Sequence, residues 1–159
     1  MKSAKPMRDV QERMAPGVLS AHGFLGSDRR ALAAIIDDDA ARVRRLGLAH
    51  DGIARRMEEL RDAGARGLGD FVAVAPHFEV RVDCVRGKIP CPFGDRALER
   101  KGFTVVRNLA TGREITYTDL GIHMIRAHGF YEGTGSPFRL DPEALAEVLE
   151  VRPSAALRK

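Results

Sequence analysis

The sequence predicts an α+β domain: a mostly antiparallel sheet of about four to five strands, with an N-terminal helical hairpin before it and two C-terminal helices after it. Three observations predict it. Apolar residues recur at helical spacing up to residue 63, alternate with period two between residues 71 and 118, and return to helical spacing beyond Thr118. Helices grouped on either side of a run of strands point to an antiparallel sheet.

Residues 1–22 lack periodicity and contain Ala-Pro-Gly at 15–17, which reads as a flexible N-terminal arm. Residues 23–152 read as a single α+β domain and 153–159 as a C-terminal tail. Ser27 or Asp28 can cap a first helix in which Leu32, Ile35, Ile36, Val43 and Leu46 recur at helical spacing, and Gly47 is placed to stop it. Asp37, Asp38 and Asp39 fall inside that helix. Consecutive helical positions fan around the axis, so they read as a solvated face with partners such as Arg42 rather than as a cation site. A second helix, over residues 50–63, carries Ile53, Met57 and Leu60 and ends at Gly64. The pair has a helix-turn-helix look, but a strand follows instead of a recognition helix. An αα-hairpin packed on a sheet is the better reading.

Phe-Val-Ala-Val-Ala at 71–75 is a short apolar strand. Over 77–85, Phe78, Val80, Val82 and Cys84 face one way and His77, Glu79, Arg81 and Asp83 the other. Residues 103–118 read as two strands joined by Asn-Leu-Ala-Thr-Gly, a loop of hairpin length. Thr118 then caps a helix that stops at Gly129. Asp141-Pro142 opens the last helix, which uses Leu145, Val148 and Leu149.

At 159 residues, with 44% hydrophobic and 30% charged side chains, the chain can bury a core without staples. No apolar run approaches the roughly 18 residues of a membrane span, so no membrane partner is expected. The start, MKSAKPMRDVQERMAPG, is basic without an apolar segment and does not read as a secretory signal; the expectation is a cytoplasmic protein. There, two cysteines are expected to be free or metal-bound rather than disulfide-bonded. The net charge of +4 comes from scattered arginines, densest at 42–45 and 55–56. That is compatible with a basic module for nucleic acid or an acidic partner, although a solvated helix face is the commoner cause. The absence of Trp and the presence of two Tyr argue against a base-stacking platform.

Ile-Pro-Cys-Pro-Phe-Gly, at 89–94, clamps Cys91 between prolines that hold the segment extended. If Arg86-Gly87 forms a two-residue turn, Val85 pairs with Lys88. Cys84 and Cys91 then become diagonal neighbours about 7–8 Å apart on the core-facing side. That exceeds the usual disulfide Cα span of about 4.4–6.8 Å but lets two thiolates converge on zinc. Arg suits such a turn poorly and Pro90 cannot donate to the ladder, so the pairing is expected to break just before Cys91. His123 and His128, on the penultimate helix, fall in the H-x3–5-H range of structural zinc sites.

The sequence thus nominates Cys84, Cys91, His123 and His128 as a Cys2His2 zinc site of structural type. In ligand order alone it resembles the zinc-finger family. The x6 gap between the cysteines and the 31 residues between Cys91 and His123 depart from that pattern, and no DNA reading carries over. A plainer account has Cys84 packing in its strand and His128 favoured by the helix dipole. A catalytic account has Cys91 as nucleophile, His123 or His128 as base, and Asp119 or Glu132 orienting the imidazole. If one histidine points away, a water could take its place and support metal-assisted hydrolysis.

Gly129, Gly133, Gly135 and Ser136 could cradle an anion with Arg139. This loop, however, leaves a helix and meets Pro137, unlike Walker or dinucleotide loops. A wide turn pinned by Phe130, Tyr131 and Phe138 is preferred, with Glu132 a spare carboxylate close to His128. The run TDLGIHMIRAHGFYEGTGSPFRLDP, with RGKIPCPFG upstream, resembles small bacterial proteins of no assigned activity, over most of residues 24–151. That resemblance implies a self-contained bacterial domain and nothing about chemistry.

Overall fold

The structure, a computed structural model, describes residues 7–153; the outer parts of the expected arm and tail, 1–6 and 154–159, lie outside the described residues. Its helices are α1 (Met7–Arg13), α2 (Leu32–Arg45), α3 (His50–Gly64), α4 (Asp119–His128) and α5 (Pro142–Leu149). Its strands are β1 (Val72–Val74), β2 (Phe78–Pro90), β3 (Leu98–Asn108) and β4 (Arg113–Thr118). The strands form one antiparallel sheet in the order β1-β2-β3-β4. This is the expected α+β architecture, with helices before and after a four-stranded sheet.

Alternation along the strands sorts the two faces. Phe78, Val80, Val106 and Tyr117 are buried on one face, against Ile53, Met57 and Leu60 of α3 and against α4 and α5. Gly64 lets the end of α3 settle there, because a Cβ at that position would lie 2.3 Å from Val80 Cγ1. Two of the polar side chains that enter this core are tied to backbone carbonyls: Tyr117 donates its hydroxyl to the Met57 carbonyl at 2.8 Å. Asn108 donates to the Val148 carbonyl at 2.9 Å and accepts from the Ala110 amide at 3.0 Å, pinning the β3–β4 hairpin to α5. The opposite face is charged. Arg107 pairs across strands with Glu79 and Glu114 and lies 3.8 Å from the centroid of the Phe71 ring.

A second apolar cluster, with Val10, Met14, Phe24, Leu32, Ile35, Met124 and Phe130 among its members, packs where α1, α2 and α4 meet. The segment 1–22, which lacks helical periodicity, therefore contains α1 and contributes to the core. Val10 is 2% exposed and Met14 fully buried. Helix α2 begins at Leu32, later than a Ser27 or Asp28 cap would place it. Asp28 instead accepts from Arg30 and from the Thr134 amide. The Leu32 amide is taken by the Gln11 side chain at 3.0 Å, a long-range contact that no local cap signal encodes. Asp39 is not on a solvated face. It is 1% exposed and bound by Arg139 at 2.6 and 3.0 Å and by Arg42 at 3.3 Å.

The Arg86-Gly87 turn does not form. Strand β2 runs through it for 13 residues, and its register against β3 shifts between Val85 and Lys88. Gly87, at φ +101°, absorbs the irregularity. The strand returns only after Pro90.

Replacing Ile53, fully buried, with alanine is expected to cost about 2–5 kcal/mol through lost burial and a residual cavity. Leu109→Ala, at a loop position 57% exposed, is expected to stay within about 0.5 kcal/mol. Urea denaturation with an unchanged m value checks both.

Candidate metal centre

The site is built at the far end of the β2–β3 ribbon. After Pro90 the chain turns through Cys-Pro-Phe-Gly, closed by the Gly94 amide on the Cys91 carbonyl at 3.1 Å. Proline suits the second position of such a turn because its φ is preset, and Gly94 takes φ +78°. The Cys91 amide donates to the Ala97 carbonyl at 3.0 Å, and Arg13 of α1 donates to the Pro92 carbonyl. Asp95 follows the turn. Its Oδ1 accepts from the Ala97 amide at 3.1 Å, which leaves Oδ2 facing α4.

Helix α4 is held at both ends. Thr118 Oγ1 accepts from the Gly121 amide at 2.8 Å. Gly129, at φ +64°, closes the other end, with the Phe130 amide on the Met124 carbonyl. Five positions separate His123 from His128, which places them about 140° apart around an ideal helix. They converge because Asp95 sits between them: each Nε2 lies 2.7 Å from Asp95 Oδ2. The two rings stand nearly perpendicular, at 80° with centroids 5.6 Å apart. Phe93 stacks on His128 at 4.0 Å and 10°, and Phe130 meets Phe93 edge-on, so His128's plane is fixed by packing.

Cys91, Asp95, His123 and His128 each offer one ligand atom, and these atoms all lie within 4.8 Å of one another. The group could hold a metal ion. Cys91 is 4% exposed, and the histidine and aspartate side chains are largely buried. A tetrahedral ion bound at about 2.0–2.3 Å spaces its ligand atoms roughly 3.3–3.8 Å apart, so small adjustments of these side chains would close on one. Burial pushes the Asp95 carboxyl up, but the Ala97 amide and the two imidazoles outweigh it and hold the group well below the usual carboxylate range. Burial pushes the Cys91 thiol up to about 12, and neighbouring Asp95 adds to the rise. A thiol in that state is a poor nucleophile without a cation beside it.

Three of the four nominated ligands are thus brought together and one is not. Cys84 is exposed, its Sγ 3.6 Å from the Val85 carbonyl oxygen, and has no place in the cluster. The straight path of β2 is the reason: seven extended residues separate the cysteines by on the order of 20 Å. Asp95 takes the fourth position. Its signal was the acid directly after the Cys-Pro-Phe-Gly turn. The carboxylates considered for orienting an imidazole are engaged elsewhere. Asp119 pairs with Arg100 at 3.1 Å and Arg61 at 3.7 Å, and Glu132 accepts from Ser136 at 2.6 Å. The glycine-rich segment forms the wide turn, with Phe130 and Tyr131 each 1% exposed. Arg139 is bound to Asp39 and does not line an anion cradle. Many of the arginines behind the net charge are likewise paired: Arg42 with Asp141 and Glu143, Arg126 with Asp51 and Glu58, Arg113 with Glu147. Among the described residues no helix is long and apolar enough to cross a membrane. No family model, curated protein or solved structure matches the chain.

With Cys84 exposed and Cys91 buried, a thiol-reactive dye is expected to label one cysteine at once and the second only on unfolding. Cys84→Ser should abolish the fast phase and leave the slow one.

Proposed function

We propose that this protein binds one zinc ion through Cys91, Asp95, His123 and His128, and that the ion is structural, clamping the end of the β2–β3 ribbon to α4. The observation that carries this reading is the convergence of four ligand atoms from two distant segments within 4.8 Å. One thiolate, two imidazoles and one carboxylate form a donor set that suits zinc better than magnesium or calcium, which favour oxygen alone. A reducing compartment such as the cytoplasm, the location expected from the sequence, would keep the thiol available.

Four protein ligands fill a tetrahedral shell and leave no position for a water or substrate. That favours a structural ion over metal-assisted hydrolysis. Coordination at Nε2 places each imidazole proton on Nδ1 and takes the Cys91 proton off, so binding releases protons. A divalent charge at this point also reverses the logic that keeps the free thiol protonated.

The full chain, purified without chelator, is expected to carry about one zinc per molecule by elemental analysis. Asp95→Ala and His123→Ala should lose the metal, while Cys84→Ser should retain it. Zinc at about a thousandfold over its Kd would stabilise the fold by about 4 kcal/mol, read as a rise in melting temperature that chelator reverses. Cobalt substitution should give a sulfur-to-metal absorption band that disappears in Cys91→Ser. A chain that stays metal-free after refolding with zinc, and melts at the same temperature with or without it, would overturn the reading.

A further inference from the structure

We propose that the cavity between the segment 19–24, β3 and the loop after α4 binds a small ligand that joins an apolar body to one ammonium group, with Glu132 as its counter-charge. The cavity has a volume of about 230 Å³ and is lined by Phe24, Ile89, Phe103, Leu120, Phe138 and Glu132 among others. Drug-sized sites run to roughly 300–1,000 Å³, so this one suits a fragment-sized molecule. None of Cys91, Asp95, His123 and His128 lines it, and it stands independently of the zinc reading.

Glu132 is what gives the cavity its chemistry. It is 5% exposed, and Ser136 Oγ donates to its Oε1 at 2.6 Å. The guanidinium best placed to neutralise it, Arg139, is committed elsewhere: to Asp39 at 2.6 and 3.0 Å, and to Glu132's own backbone carbonyl at 2.8 Å. Among the described residues no Lys, Arg or His forms an ion pair with the Glu132 carboxyl. A buried acid with one hydroxyl donor and no ion-pairing cation is costly to ionise: burial pushes Glu132 up to about 7, only partly offset by the Ser136 hydroxyl and the charge of Arg139. An ammonium group entering from the cavity supplies the missing partner, and the aromatic walls remove its apolar body from water. At the lining Arg100 pairs with Asp119, at 3.1 Å, which offsets part of its charge toward an incoming cation. Lys101 and His22 also line the cavity and are exposed, which makes an anionic ligand the main rival.

The test measures binding of three probes of similar shape to the full chain by calorimetry or ligand-observed NMR: 2-phenylethylamine, 2-phenylethanol and 3-phenylpropanoate. The amine is expected to bind at least about tenfold tighter than the alcohol, a difference that Glu132→Gln removes. Phe103→Ala should weaken the amine and the alcohol alike. Melting temperature and zinc content of each variant establish that it is folded, and a chain that binds no zinc leaves this test intact. Preference for the carboxylate probe would overturn the proposal. So would an amine no tighter than the alcohol, a preference unchanged in Glu132→Gln, or no binding of any probe at millimolar concentration.

Discussion

The outer half of the β2–β3 ribbon has no sheet beside it, and what holds that ribbon governs the rest of the molecule. Strand β1 pairs with β2 only as far as Val80, and β4 pairs with β3 only from Phe103 onward. From Cys84 to Pro90 and back from Leu98 to Gly102 the two strands have each other alone. A two-stranded ribbon is at best marginally stable in water. Its support is tertiary: Cys91 buried in the second apolar cluster, Arg13 on the Pro92 carbonyl, and Asp95 between His123 and His128. These contacts tie the tip to α1 and α4, so the elements least supported by the sheet are cross-braced by helices from both ends of the chain.

Helix α4 is the brace, and the ribbon grips it twice. At its N-terminus Asp119 is 3% exposed and pairs with Arg100 of β3, a placement the helix dipole also favours. Gly102 makes the close approach possible, since a Cβ there would lie 2.9 Å from the Asp119 carboxylate. Toward its C-terminus the two imidazoles meet Asp95. A metal ion at that point would replace two hydrogen bonds with bonds to four side chains. It would act where a long-range tie does most, because the residues it joins are far apart in sequence and closing that loop costs chain entropy.

How much of this could be read from the residues follows from whether the signals were local. Where caps and hairpins are set locally they are legible: Thr118 and Asp141 cap their helices, and Gly112 closes the β3–β4 loop at φ +75°. Helical and strand periods placed the buried face of α3 and the alternation of β2. The start of α2 was not legible, because its first amide is satisfied by Gln11 from another helix. The site was half legible. Cys91, His123 and His128 were marked by residue type and by proline and helix context. A turn at Arg86-Gly87 would pair Cys84 with Cys91, but a glycine inside a strand can also mark a bulge, and here it does. Asp95 carries no such mark, because an aspartate after Gly is ordinary turn chemistry. Only the tertiary approach of α4 turns its second oxygen into a ligand.

Two buried acids, Asp39 and Glu132, show how the same loop produces opposite outcomes. Both sit within reach of the segment that ends in Arg139. Asp39 receives both terminal nitrogens of that guanidinium and a third contact from Arg42, and its charge is fully matched. Glu132 receives from Arg139 only a bond to its backbone carbonyl, while its carboxyl keeps the Ser136 hydroxyl. Arg139 joins α2 to the loop through Asp39, so it cannot also turn toward the Glu132 carboxyl without leaving a fully buried anion with only the longer contact from Arg42. The backbone carries a further strain: Glu132 is held at φ +70°, a conformation disfavoured for a side chain with a Cβ. A structural role alone would be met more cheaply by glutamine or an apolar residue. A carboxyl held in that backbone with no ion-pairing side chain, in a residue that lines a cavity with aromatic walls, is an arrangement that makes physical sense when a charged partner arrives from outside.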